Sequence, residues 1–279
     1  RLAGILGINP YGPNYPQPVG TEGKLVSGAK AMWDEDWVKA YEQDASRFEE
    51  IVSISGGSKA SSYFASLGYL NDKGIVIGSG FKRYTGRLNL NSDINKWLKF
   101  SGNIGLTHSL QDAPLGEDSN SGNPTSAGRL IPSFYPLYLR DHTTGKLILD
   151  DNDNKQYDFG DYRPSAASPN HNLAGSIPHD KNERKRDAAA IRTALEANLL
   201  EGLTAKTTLS INYTTQNNHN YTNPAYGSGA SSGGSMSKYN YRTTGVTVNN
   251  VLNYNKRFND LHGIKLLAGH EYYEYHYIY

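Results

Sequence analysis

Residues Ser53–Gly74 read SISGGSKASSYFASLGYLNDKG, and the order of small and large residues in this stretch decides the fold. Ahead of the Gly56-Gly57-Ser58 turn, Phe48, Glu50, Val52 and Ile54 share one parity and Arg47, Glu49, Ile51 and Ser53 the other. Beyond it, Tyr63, Ala65, Leu67 and Tyr69 alternate with Ser62, Ser66 and Gly68. Successive side chains of a strand point to opposite faces, so a period of two on both sides of a Gly-rich turn specifies a β-hairpin.

The same period continues outward. Tyr84, Gly86, Leu88 and Leu90 alternate with Arg83, Thr85, Arg87 and Asn89, and Leu98, Phe100, Ile104 and Leu106 with Lys99, Ser101, Asn103 and Thr107. A long polar stretch runs from Gln111 to about Arg186. Strands then resume: Ile191, Leu195 and Leu199 oppose Arg192, Glu196 and Asn198, and Leu209, Ile211 and Tyr213 oppose Ser210, Asn212 and Gln216. VTVNNVLNYNKRF and IKLLAGHEYYEYHYIY complete about eight strands. Helical periodicity is confined to AMWDEDWVKAYEQDASRF, which reads as a short helix or an irregular docking segment. It follows an extended loop punctuated by Pro10, Pro13, Pro16 and Pro18.

Composition excludes several classes. The net charge of the 279 residues is +1, and Lys and Arg are scattered, which leaves no electrostatic footprint for nucleic acid. Absence of cysteine excludes disulfide scaffolds and Cys-based zinc sites. No run of about 18 apolar residues exists, so no transmembrane helix is expected. A strand-built membrane wall leaves no such mark, because its lipid-facing and lumen-facing residues alternate and the mean hydropathy stays low. RLAGILGINPYGPNYPQP at the start has no signal-peptide pattern.

Two features favour the membrane wall. Several strands alternate for about 12 to 14 residues, against about 5 to 6 in most soluble sheets and about 9 to 11 needed to cross a bilayer. Short connections at GGSK, INKW, EGL and KRFND alternate with longer ones, the asymmetry of outer-membrane barrels. Tyr63, Tyr69, Tyr84, Trp97, Phe100, Tyr213 and Tyr254 lie near strand ends, where interfacial girdles form. A soluble sandwich or solenoid explains the alternation equally well and the strand length badly.

SISGGSKASSYFASLGYLNDKGIVIGSGFKRYTGRLNLNSDINKWLKFSGNIGL resembles the SusC/RagA family of TonB-dependent outer-membrane transporters of Bacteroidetes. The resemblance rests on the Gly56–Ser58 turn, the Tyr-rich strand Tyr63–Leu70, the Asn71–Gly74 connection, the strand Phe81–Asn89 and the Trp97–Lys99 step. The preamble NPYGPNYPQPVGTEGKLV and the later LYLRDHTTGKLILDDNDNKQYDFGDYRP are similar to loops of the same family. The resemblance implies an all-β segment of a large antiparallel transmembrane barrel, about eight of about 22 strands, with long extracellular loops. On that reading residues 1–46 are an extracellular loop segment, 47–111 four barrel strands, 112–186 a long extracellular loop and 187–279 four more strands. The implied setting is the Gram-negative outer membrane with loops extracellular. The implied activity is import of oligosaccharides or oligopeptides with a SusD-like surface lipoprotein, with TonB acting through parts absent from this chain, and no enzyme or cofactor. The remaining barrel strands, the plug and the lipid bilayer complete the expected partners.

Candidate sites divide by location. Arg83, Arg87, Lys99, Arg192, Glu196 and Lys206 fall on the polar parity of their strands and in a barrel would line the lumen, meet a plug or form a structural ion network. Tyr135, Tyr138, Arg140, Tyr157 and Tyr162 in the long loop would touch substrate or the lid protein, or pack the loop together. His142–Lys146 and Asn152–Lys155 carry hairpin-turn signals there. Asp150, Asn152, Asn154 and Asp158 fit part of a calcium-loop register, but Lys155 stands where Gly is needed and Asp161 where Glu is expected, and a turn explains them as well. His171 and His179 lack metal-site spacing, and no nucleophile elbow or carboxylate pair stands out. A function of another class also fits: a self-contained β-barrel or β-sheet module acting as an adhesin or lectin, closed by pairing Phe48–Ile54 with Ile264–Tyr275.

Overall fold

Each strand presents a row of N–H and C=O groups that needs a neighbour on either side, and this chain supplies the neighbours in sequence order. The computed structural model describes residues 2–114, 122–167, 169–259 and 261–279. Among them eight strands form one antiparallel sheet ordered β1 to β8. They are β1 Ser46–Gly57, β2 Ser61–Lys73, β3 Gly80–Asp93, β4 Leu98–Asp112, β5 Lys181–Leu200, β6 Leu203–Thr222, β7 Ser235–Phe258 and β8 His262–Ile278. Five short helices lie in the connections: α1 Leu2–Leu6, α2 Trp37–Ala40, α3 Pro124–Leu130, α4 Leu173–Ser176 and α5 Ser228–Ser232. The sheet is open among the described residues, since β1 pairs with β2 alone and β8 with β7 alone. The closure that a self-contained eight-strand barrel requires is therefore not formed.

Register converts the sequence alternation into two continuous faces. Leu88 stands opposite Ile104, Ile104 opposite Ile191, Ile191 opposite Ile211 and Ile211 opposite Val246. One row away on the other face, Asn89, Asn103, Arg192 and Ser210 are partners in the same way. Large apolar side chains of the first face remain open to the surroundings, with Val52 at 73% and Leu67 at 72% exposure. Near the loop-side end of this face the rings of Phe48, Tyr69, Tyr84 and His108 form a cross-strand ladder with centroids 6.2, 5.0 and 6.1 Å apart. His108 Nδ1 lies 2.6 Å from Asp187 Oδ1.

The strands are staggered. A line of direct partners starts at Ser62, the second residue of β2, and passes through Asn91, Ser101, Ala194, Thr208 and Asn249 to Glu271, the tenth residue of β8. The row of tight turns therefore runs obliquely to the ladder, as strand tilt in a barrel wall demands. Measured from the turn end, the apolar parity persists to Ala189 on β5, Tyr213 on β6 and Val246 on β7, and above those positions both parities are mainly polar or tyrosine.

This polar extension explains where sequence reading fell short. β5 begins at Lys181 and not at 187, β6 runs on to Thr222, and β7 begins at Ser235, well before VTVNN. Lys181, Glu183 and Lys185 alternate with Asn182, Arg184 and Arg186 and offer no hydropathic contrast, so a strand there carries no period-two signal. The β2–β3 connection, expected to be long, is the six residues Gly74–Ser79.

The β5–β6 turn depends on Gly202, whose φ of 82° favours glycine. A Cβ at Gly202 would meet the Asn255 carbonyl oxygen at 2.7 Å, whereas at Gly263 it would meet nothing within 4 Å. Gly202→Val should cost at least about 1–2 kcal/mol and lower the urea midpoint of the folded protein. Gly263→Ala should leave the midpoint unchanged within error.

Candidate functional site

The largest buried cluster lies in the loops. The sheet contributes few buried apolar side chains, while Trp33, Trp37, Tyr41, Ile131, Tyr135 and Leu173 bury together from two distant segments. Asp36 caps α2, its carboxylate accepting from Lys39 N at 2.9 Å, and so presents Trp37 inward. Trp33 Nε1 donates to Phe134 O at 2.8 Å and Trp37 Nε1 to Tyr135 O at 3.1 Å. Tyr135 Oη donates back to Leu6 O at 2.9 Å. Gly128 allows α3 to approach α2, because a Cβ there would sit 3.0 Å from the Val38 Cα.

A polar knot closes the cluster. Asp158 accepts from Gly160 N at 2.6 Å and from the Tyr162 hydroxyl at 2.9 Å. Asn172 Nδ2 donates to the carbonyls of Leu137 and Asp158, both at 2.9 Å. The buried Arg163 guanidinium lies 5.1 Å from the Trp37 ring centre and 5.3 Å from that of Tyr135, and donates to His171 O at 3.1 Å. Burial pushes the Asp158 carboxyl above the ordinary carboxylate range, against the opposing pull of the Tyr162 hydroxyl and Arg163.

Two further connections fasten to this cap. Gln43 Nε2 donates to Gly74 O at 2.8 Å and Val76 O at 3.0 Å, holding the β2–β3 connection. From the β6–β7 connection, Asn223 Nδ2 donates to Asp180 Oδ1 at 2.7 Å and Tyr226 stacks on Phe159 at 5.7 Å. The connections on the side opposite the tight turns thus form one packed body. Residues 115–121 of the 112–186 loop lie outside the described residues.

The candidate loop residues take distinct places within it. Tyr135 is 1% exposed and packs inside the core. Tyr162 serves the Asp158 knot and meets His142 edge-on at 5.1 Å. Arg140 bonds Glu35 Oε1 at 3.1 Å and Gly145 O at 3.0 Å, tying the first segment to the loop. Tyr138 and Tyr157 face each other across an isolated bridge with rings 5.1 Å apart, and the Lys155 ammonium sits 5.0 Å over the Tyr138 ring. Both hairpin turns form: Asp141 N bonds Lys146 O at 2.9 Å and Asp150 N bonds Asn154 O at 2.9 Å. Asp150 Oδ1 is engaged by the backbone amides of Asn152 and Asn154 at 2.9 and 2.8 Å, the geometry of an Asx turn. His171 Nδ1 lies 2.7 Å from Pro169 O, and His179 packs on Tyr226.

The candidate strand residues share the polar face. Arg83 and Arg47 both reach Glu49, at 3.3 and 2.9 Å, and Lys206 meets Glu196 at 3.3 Å. Lys99 stands opposite Glu196 in the register. Arg87 and Arg192 have no carboxylate within ion-pair distance among the described residues. The reading of the sequence missed Trp33, Trp37 and Tyr41. Their spacing of four hinted at a helix, yet they bury because of partners about a hundred positions away, which no local pattern records.

No family model matches the chain. Over 226 residues, 78% of this chain, it is 29% identical to TonB-dependent receptor P39 of Formosa agariphila. Over 245 residues it is 28% identical to TonB-dependent receptor P3 of the same organism. A stretch of 55 residues is 44% identical to TonB-dependent receptor SusC of Bacteroides thetaiotaomicron, covering 20% of this chain and 6% of that one. The fold superposes on the RagAB peptide importer in its closed-closed state with a TM-score of 0.67 and 25% identity, covering 87% of this chain and 26% of that one.

In sequence and fold the chain is similar to a segment of SusC/RagA-like TonB-dependent receptors. It spans 19% and 22% of the two Formosa relatives. Its open sheet corresponds to a stretch of barrel wall in the RagAB likeness. The relatives are receptors and transporters and not enzymes.

Two outcomes follow from the cap geometry. Trp37→Ala removes a fully buried indole and its hydrogen bond, at a cost of about 3–5 kcal/mol. Limited proteolysis within 1–45 and 113–180 should accelerate, while the β-sheet signal in far-ultraviolet circular dichroism should stay unchanged. The raised Asp158 carboxyl favours the protonated form in the folded cap. Its contribution is therefore greatest at low pH and falls as pH rises from about 3.9 through the raised folded value. Wild-type cap stability should lose ground to Asp158→Asn across that window, measured as the difference in protease half-life.

Proposed function

We propose that this chain forms part of the wall and extracellular cap of an outer-membrane importer that takes up oligosaccharides or oligopeptides with energy relayed through TonB. The observation that carries the reading is the staggered sheet, with one face mainly apolar over a bilayer's height and the other mainly polar. On this reading the apolar face meets lipid. The polar face, with Arg83, Arg87, Lys99, Arg192, Glu196 and Lys206, lines the lumen. A lipid-facing charge at midplane costs about 2–4 kcal/mol, which is reason enough for these six to keep to the other parity. The tight turns are periplasmic and the packed connections, 1–46 and 112–186 among them, extracellular.

A SusD-like lipoprotein covers the cap in this reading, as the relationship to SusC and the two-component RagAB likeness support. Of the loop candidates, Tyr138 and Tyr157 supply the contact edge for substrate or lid, while Tyr135, Arg140 and Tyr162 hold that edge in place. Cutting out Pro132–Tyr162 would also strip the partners of Trp33 and Trp37, so replacing Tyr138 and Tyr157 together by Ala is the cleaner test. Uptake should fall several-fold with surface expression unchanged.

The wall assignment is tested on the full-length receptor in intact cells by single cysteines and a membrane-impermeant maleimide. Cysteines at Ile191, Leu195 and Leu209 should stay unlabelled, and those at Arg192, Lys206 and Asn212 should react. Equal reactivity of the two parities would sink the barrel reading.

A further inference from the structure

Above the apolar band the polar face carries an arrangement that the wall does not need. EYYEYHYIY, residues 271–279, places Tyr273, Tyr275, Tyr277 and Tyr279 on one parity. Direct partners share a face, and the register fixes which one. Arg83, Ser109, Arg186, Gln216 and Tyr241 are successive partners from β3 to β7. The Tyr241 ring lies 5.1 Å from that of Tyr279 and 6.4 Å from that of Tyr277. Tyr239 stacks on Tyr279 at 6.1 Å. The result is a shelf with cations at one end, amides in the middle and tyrosines at the other.

The shelf is open, with Arg83 paired to Glu49 at 3.3 Å and Gln216 Nε2 donating to Asn218 Oδ1 at 3.0 Å. Two adjoining depressions of about 430 and 440 Å³ share Arg186 and Gln216, the first reaching toward Arg83 and the second toward Tyr241 and Tyr277. Tyr277 is 55% exposed, although it lies on the polar face and not among the apolar side chains. Arg186 is exposed and has no carboxylate partner among the described residues. Its neighbour Asp187 points to the opposite face, where it holds His108, and Glu183 on that opposite face pairs with Lys181 and Lys185.

We infer that this shelf is a ligand-binding surface for an acidic oligosaccharide, one whose sugar rings carry carboxylate or sulfate groups. The inference rests on the importer reading in one respect, that the polar face is the lumen. Tyrosine offers a broad apolar ring with a polar tip and little entropy to lose, which suits the CH-lined face and hydroxyl rim of a pyranose. Gln216, with Thr214 and Thr243 beside it, supplies donors and acceptors for hydroxyls. Arg186 supplies a fork that matches a carboxylate or sulfate. From β5 to β8 the shelf spans about 14 Å at the ordinary strand spacing, which suits an oligomer better than a single sugar. A peptide held by strand addition needs a free strand edge, and the main-chain groups of β5, β6 and β7, which carry Arg186, Gln216 and Tyr241, are spent on their neighbours.

The test uses the full-length native receptor in detergent, titrated calorimetrically with oligogalacturonate, with cellooligosaccharide of equal length as the neutral probe and with an acidic peptide. Tyr241→Ala with Tyr277→Ala should weaken oligogalacturonate at least tenfold, and the Phe double variant, which keeps the rings, should stay within about threefold of wild type. Arg186→Gln should weaken oligogalacturonate about tenfold, remove most of its salt dependence and leave any cellooligosaccharide binding unchanged. Arg257→Gln, on the same face but at the tight-turn end of β7 and off the shelf, should change nothing. Binding of the peptide in preference to oligogalacturonate, failure of oligogalacturonate to bind, or indifference to the tyrosine and Arg186 variants would each overturn the inference. Cysteines within the apolar band separate the two readings. If one at Asn212 is shielded from water-soluble maleimide while one at Ile211 reacts, the lumen assignment itself has failed; if Asn212 reacts and the binding variants are silent, only the shelf has.

Discussion

Everything in this chain hangs on one ladder of backbone hydrogen bonds whose register never slips across seven strand pairs apart from a single irregularity near Asn198 and Leu200. Because side chains alternate strictly, a one-residue slip anywhere would carry Ile104, Ile191 and Ile211 to the polar side and Arg192 and Lys206 to the apolar side. Within a bilayer no water is present to satisfy an unpaired strand, so the ladder is also the means by which such a wall tolerates lipid. Register thus sets both the chemistry of each face and the stability of the wall.

The second organising feature is the separation of hydrophobic cores. A sheet that offers its apolar face to lipid has no interior of its own, and the sheet indeed buries few large apolar side chains. The connections solve their own burial problem. Trp33 and Trp37 from before β1 insert beneath Phe134 and Tyr135 from the β4–β5 connection, and Gln43, Asn223 and Tyr226 weld the remaining connections to them. A cap held this way is fastened at several points, so the effect of a single core substitution spreads beyond its own connection.

Stagger joins the two features. Because the turns run obliquely to the ladder, β5, β6 and β7 rise above the apolar band and become mainly polar on both faces, carrying the cap away from that band. The shelf of Arg186, Gln216 and Tyr241 exists because of this rise. Lower on the same strands, the space opposite the lipid is taken up by ion pairs such as Lys206 with Glu196.

The sequence by itself determined the alternation of side chains within the apolar band, the tight turn at Glu201-Gly202, the all-β class and the resemblance to SusC/RagA transporters, while the first turn, read at Gly56-Gly57-Ser58, lies at Ser58–Ala60 because both glycines pair within β1. These are local properties, fixed by the two-residue repeat of a strand and by residues that tolerate turn geometry. It did not show that strand continues from Lys181 to Arg186 or from Ser235 to Gly245, because hydropathic contrast disappears where both faces meet water. Nor did it show that Tyr135 lies in the core while Tyr138 and Tyr157 are only partly buried against it. That distinction depends on Trp33 and Trp37, which approach from 101 and 98 positions away, and contacts of such range leave no periodic trace. Only the tertiary structure, through register and the packing of distant loops, decided the height of each residue on the wall and the company it keeps there.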